Sequence, residues 1–302
     1  MRAFIRPAWL WTLTVALFGL ALAQAAAIGL DRAAWPQPPP VAPLPRPALE
    51  PGVVRMAGTG SAILPVRELA RACAARLPGV RIVVEDSIGS TGGVRALRDG
   101  AIDVGLVSRP LRPDESGHGI ALRPFAKVPV VVVAHPEVAA LDVAPADLAA
   151  LFAGLRTHWP DGRPVVVLQR EKGDSSHGAV HARLPALLAA DEAAWASGRW
   201  RVLYDDRSLE AALLATPGAV ALHDLASLRA QGLPARLLTV GGVAASTATV
   251  ADGSYPFAKT LAFAVVEPVP PHVARVLACL TAPERGEQLW AWGALPWTQA
   301  VP

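Results

Sequence analysis

The sequence predicts an α/β fold in which helices cover a largely parallel sheet. From residue 53 onward, short β-branched runs alternate with stretches rich in Ala, Leu and Arg, and such alternation builds layered α/β units. Hydrophobic residues make up 52% of the 302, which is ample for a buried core. Length alone permits one large domain or two moderate ones, and no internal repeat divides the chain.

The elements follow in order. Residues 53–57 read as a strand and 65–77 as a helix with Pro65 in its first turn, where a missing N–H does no harm. Residues 81–85 are a strand, 93–98 a short helix and 102–107 a strand. The run 128–134 is apolar throughout, as a strand buried on both faces must be. Residues 145–152 are helical, and Asp147 in the first turn suits the helix dipole. A strand over 164–169 precedes a helix over 176–190, and 209–214, 219–222 and 261–266 continue the alternation. Helices over 272–280 and 283–292 close the chain.

Ahead of these elements, Arg2 and Arg6 precede an uncharged apolar run from residue 7 to about residue 30, with small residues at Ala21, Ala23 and Ala25. That order is an export signal over residues 1–25, with an uncleaved anchor as the alternative. Residues 26–52 form a proline-rich linker, stiff and unable to join a sheet. Both place the folded part outside the cytoplasm, in the periplasm, with no membrane contact beyond a retained signal. The formal net charge is +3 and the arginines are scattered, so no nucleic-acid footprint forms. Cys73 and Cys279 are the two cysteines; they read as buried free thiols, with a bridge between the first and last helices as the alternative.

Three loops that lead into helices share glycines and hydroxyls: Gly58-Thr59-Gly60-Ser61-Ala62, Gly89-Ser90-Thr91-Gly92-Gly93, and Arg170-Glu171-Lys172-Gly173-Asp174-Ser175-Ser176. A helix start offers unpaired N–H groups and the positive end of a dipole, which suits an anion. Glycine admits close approach and a hydroxyl adds a donor. A tetrahedral oxyanion needs donors from several directions, so three such loops in one chain outweigh any single one. Two nucleotide readings fail, the P-loop because no Lys-Ser/Thr pair follows 89–93 and the dinucleotide fingerprint because no G-x-G-x-x-G opens a helix.

In this order, GTGSAILP (58–65), IGSTGGVRAL (88–97), DVGLVSRPL (103–111), LFAGLRTHW (151–159), REKGDSS (170–176), TPGAVAL (216–222) and YPFAKTLAF (255–263) resemble the phosphate ABC-transporter substrate-binding family over nearly everything after the linker. The resemblance implies a type II periplasmic binding protein-like fold, with two α/β lobes and a ligand cleft between them. Lobe 1 would hold 53–127 and 241–302, and lobe 2 would hold 128–240. It implies a small oxyanion ligand, phosphate before others, an ABC permease as partner, and neither cofactor, metal nor catalysis. Carried over by position, Ser61, the Ala62 backbone, Ser90, Thr91, Arg170, Ser175 and Ser176 would bind the ligand. An arginine fork suits an oxyanion through two parallel charge-assisted bonds.

Two positions depart from the family. Arg109 stands where its members carry an aspartate that accepts a bond from a protonated ligand, and Asp174 stands where they carry a serine. Either Asp174 takes over as acceptor, leaving an additional arginine in the site, or Arg109 and Asp174 pair with each other. Membrane-tethered sensing or envelope assembly with another ligand is the alternative function. Gly173-Asp174-Ser175 is similar to the nucleophile block of GDSL-type hydrolases, but it lies mid-chain, no D-x-x-H follows near the C-terminus, and no G-x-S-x-G occurs. His177 and His181 have a metal-ligand spacing on one helix, yet no third ligand falls nearby in the expected pattern, and both read as core or solvated residues. His118 reads as a loop residue near the cleft mouth.

Overall fold

In the computed structural model, which describes residues 52–116 and 119–297, two wings of helix and strand are joined by a pair of shared strands. The first wing opens with β1 (Val53–Gly58), α1 (Gly60–Ala74), β2 (Arg81–Val84), α2 (Gly89–Arg98) and β3 (Val104–Val107). β4 (Ile120–Ala134) then runs out of that wing into the second. The second wing holds β5 (Asp142–Val143), α3 (Pro145–Phe152), β6 (Val166–Arg170), α4 (Ser175–His181), α5 (Pro185–Ser197) and β7 (Arg201–Leu203). It continues through α6 (Asp206–Ala215), β8 (Ala219–Asp224), α7 (Leu225–Gln231), β9 (Arg236–Val240) and α8 (Thr247–Ala251). β10 (Ala258–Val266) returns the chain, and α9 (Pro271–Leu280), a 3-10 turn Pro283–Arg285, α10 (Gly286–Ala291) and β11 (Leu295–Pro296) close it. The expected signal, the proline-rich linker and His118 lie outside the described residues.

The strands run in the order β2-β1-β3-β10-β4-β8-β6-β7. Each wing is parallel at its outer strands: β1 pairs with β2 and β3, and β6 with β7 and β8. Every pairing described for β4 or β10 is antiparallel. The sheet is therefore mixed rather than largely parallel, because two central strands pass between the wings in opposite directions. The first half of β4 pairs with β10 from Ile120 to Pro129, and the second half pairs with β8 and β9.

Period-two alternation on β4 explains why its valine run is unbroken. Val130, Val132 and Ala134 enter one core with α3, α4 and α5, while Val131 and Val133 enter another under α6 and α7. In the first wing, α1 and α9 cover one sheet face and α2 the other. Val250, Tyr255 and Phe257 belong to the second-wing core, although the expected boundary at 240/241 assigns them to lobe 1. The Tyr255 hydroxyl donates to the Val130 carbonyl at 2.9 Å, and Val130 N donates to Phe257 O at 2.9 Å.

Several expectations are corrected here. The expected 128–134 strand is the second half of a 15-residue one; Pro124 sits inside the first half and masks it. The helix expected from Pro65 starts at Gly60, so the first glycine loop forms its opening turn. α2 likewise begins at Gly89 rather than Gly93. The helix expected over 176–190 is two helices, because Pro185 cannot continue α4 and starts α5 instead. The thiols are not free: Cys73 and Cys279 form a disulfide across a sequence separation of 206 residues.

Candidate functional site

Where the wings face each other lies a cavity of about 410 Å³. Ser61, Ser90, Thr91, Arg109, Arg170, Asp174 and Ser175 line it, so all three glycine-and-hydroxyl loops meet. Local backbone rules put them there. Gly58, with φ +151°, lets β1 run so close to β3 that a Cβ would strike Leu106. α1 and α2 both start without a side-chain cap, their N-cap positions being Thr59 and Ile88. Thr59 spends its hydroxyl on Ser108 Oγ at 2.8 Å instead.

Beneath the hydroxyls sits Lys259, from β10. Its Nζ donates to Ser61 Oγ at 2.6 Å, Ser176 Oγ at 2.7 Å and Ser175 Oγ at 3.3 Å. Ser108 joins the same net, donating to Ser175 Oγ at 2.8 Å, while its own N–H donates to Ser90 Oγ at 3.2 Å. An ammonium has three donors and no acceptor. Each serine oxygen that accepts from Lys259 therefore has its own O–H left to donate elsewhere. The result is a set of hydroxyl donors from both wings held over one buried cation. Among the described residues, no carboxylate stands within salt-bridge distance of Lys259.

The arginines behave differently from expectation. Arg170 does not present a free fork. Its Nε donates to Glu171 at 3.0 Å, its Nη1 to Asp206, and its Nη2 lies 3.5 Å from Asp174. Burial works against the charged guanidinium, but Asp174, Asp206 and Glu171 raise its pKa above the ordinary value. Arg109 pairs with Glu115 through two bonds of 2.7 Å and also donates to Thr91 Oγ1 at 2.9 Å. The Arg109 bonds hold the Glu115 carboxyl below its usual range against the opposing effect of burial.

Asp174 lines the cavity but does not pair with Arg109, and one of its oxygens is committed as the N-cap of α4, accepting from Ser176 N at 2.9 Å and His177 N at 3.0 Å. Burial opposes its ionisation; Arg170, His177 and Lys259 overcome that and hold the carboxyl below its usual value. The cap also takes up backbone donors that the third loop would otherwise turn toward an anion. Ala62 is corrected as well: its N–H donates to Thr59 O at 3.1 Å and its side chain is fully buried in the first core.

Ser108 and Lys259 lie inside quoted motifs and Asp206 outside them, and none of the three was singled out as a site residue. One signal existed for Lys259. Lys127, Lys172 and Lys259 are the chain's lysines among 28 Lys and Arg residues, and Lys259 interrupts an apolar strand. A charge in that setting requires partners.

Known proteins share this architecture. A structure from Clostridium perfringens, described as a phosphate ABC transporter substrate-binding protein with bound phosphate, superposes with a TM-score of 0.71 at 17% identity, covering 82% of this chain and 100% of that one. Reduced OxyR from Neisseria meningitidis has the fold at a TM-score of 0.51 and 12% identity, covering 82% of this chain and 100% of its own. In sequence, phosphate-binding protein PstS 2 of Streptococcus pneumoniae is 32% identical over 108 residues, which is 36% of this chain and 36% of that protein. The match thus spans about a third of the curated relative's length. Across residues 45–284, most of the sequence, the chain matches the model of the PBP superfamily domain, and it belongs to that superfamily.

Proposed function

We propose that the protein is an exported solute-binding protein that holds a small tetrahedral oxyanion, phosphate before others, between two lobes and hands it to an ABC-type permease. The observation that carries this reading is Lys259 bonded to Ser61, Ser175 and Ser176, hydroxyls from opposite wings of which Ser61 and Ser175 line one cavity. The lobes divide where β4 and β10 cross between the wings, and closure over the anion would present the loaded surface to the permease. Binding requires donors and charge but no acid–base pair, which accords with a non-enzymatic role. The Cys73–Cys279 disulfide supports an oxidising, extracytoplasmic compartment.

A melting-temperature screen of the purified protein against phosphate, arsenate, sulfate, molybdate and short carboxylates tests the reading. A ligand bound by the native state alone raises the midpoint by mass action. Phosphate at about 100 times its Kd should stabilise by about 2.7 kcal/mol. No shift with any anion would remove the proposal.

The acceptor for a protonated ligand is Asp206 rather than Asp174. One Asp206 oxygen bonds Arg170, and the other lies against Gly60 at the cavity wall, so that a Cβ there would collide with it. A carboxylate in this place accepts a bond from a protonated oxyanion and repels a fully ionised one. Asp206→Asn keeps an oxygen for Arg170 while replacing the other with a donor. Calorimetry should show the preference for phosphate over sulfate shrink by about tenfold, about 1.4 kcal/mol. An unaltered preference in the variant assigns discrimination elsewhere.

A further inference from the structure

We propose that His177, His181 and Asp191 form a binding site for a zinc-class transition metal, separate from the anion cavity. One helical turn places both imidazoles on the same face of α4, and α5 brings Asp191 to them. His177 Nδ1 lies 2.7 Å and His181 Nε2 2.6 Å from the same oxygen, Asp191 Oδ2, and the three candidate ligand atoms lie within 4.8 Å of one another. The third ligand absent from the sequence pattern thus arrives from the next helix.

The surroundings are those of a built site. Gln169 Nε2 donates to the other Asp191 oxygen at 2.9 Å, the kind of outer contact that orients a metal-ligating carboxylate. Asp191 is 0% exposed and His177 1%, while His181 reaches the edge with 13% of its side chain exposed, which gives an ion a way in. The buried carboxylate gathers nitrogen partners from His177, His181 and Gln169, and a divalent cation shared among the two imidazoles and the carboxylate would replace the two imidazole bonds. Two imidazoles and one carboxylate suit Zn²⁺, Co²⁺ or Ni²⁺ and not Mg²⁺ or Ca²⁺, which take oxygen ligands.

The test uses untagged, chelator-treated protein titrated with Zn²⁺ in a calorimeter and with Co²⁺ in a spectrophotometer. One equivalent of Zn²⁺ should bind and raise the melting midpoint, and Co²⁺ should give a visible band of nitrogen and oxygen coordination. His181→Ala, at the rim, and Asp191→Asn, of unchanged shape, should each weaken Zn²⁺ binding at least about a hundredfold. Circular dichroism at low temperature shows whether each variant is folded. Ser61→Ala, in the anion cavity, should bind Zn²⁺ like the parent. Absence of saturable Zn²⁺ binding by the parent protein overturns the proposal. So does undiminished binding by folded His181→Ala.

Discussion

Lys259→Met should lower anion affinity at least about a hundredfold while leaving the protein folded. The substitution keeps the length of the side chain and removes its donors. Ser61, Ser175 and Ser176 then lose the bonds that leave their own protons free to donate outward, and they can satisfy one another instead. The cavity also loses a buried cation that, among the described residues, makes no direct salt bridge. Arg170 does not substitute for it, because Glu171, Asp174 and Asp206 already surround that guanidinium. Hydrogen bonds to charged groups are worth about 1.5–3 kcal/mol each, so losing the organising cation accounts for two decades, about 2.8 kcal/mol. Stability should change little, since the buried charge removed is itself costly to desolvate and the three serines can bond one another. Titration of phosphate by calorimetry, beside a thermal melt, checks both halves. If the variant binds phosphate as tightly as the parent, Lys259 is a structural residue and the anion sits elsewhere.

Local pattern and global convergence were not equally legible in the sequence. The three anion-type loops stood out because glycine, hydroxyl and helix start are neighbours in the chain, and their side chains do line one cavity. The valine run of β4 was readable because burial on both faces leaves no polar interruption. What could not be read depends on pairings between distant residues. Ser61 and Lys259 meet across 198 positions, and only the return of β10 beside β4 brings them together. Asp174 carried only half of its signal: its type suggested a carboxylate in the site, and it lines the cavity, but its place as the cap of α4 was not read. Arg109 likewise found Glu115 six residues ahead, a partner in an irregular loop that no periodicity marks. His177 and His181 were set aside for want of a third ligand, and Asp191 reaches them only because Pro185 breaks the expected helix and folds α5 back alongside α4.

Removing the Cys73–Cys279 bridge should lower the melting midpoint by about 10 °C or more. Cys73 is wholly buried in the first core, on α1, and its partner on α9 packs against the same cluster. The bridge thus ties the first helix of the described chain to the returning C-terminal part of the same wing. Its effect lies mainly in the unfolded chain, where it closes a loop spanning 206 residues. A loop of that length corresponds to about 5 kcal/mol in the chain-entropy model, and about 1 kcal/mol moves the midpoint of a protein this size by about 2–4 °C. Both cysteines should be changed together, to alanine, so that neither thiol is left free to exchange. Thiol titration of the unreduced protein in denaturant should find no reactive thiol before a reductant is added, and two after it. Two thiols without reductant, or a midpoint that reductant and the double variant both leave in place, would show that the fold does not depend on the bridge. Because α1 carries Ser61 at its N-terminal end, a loosened helix should also weaken phosphate binding. That loss should be smaller than the one caused by Lys259→Met, since the donors remain and only their anchorage is relaxed.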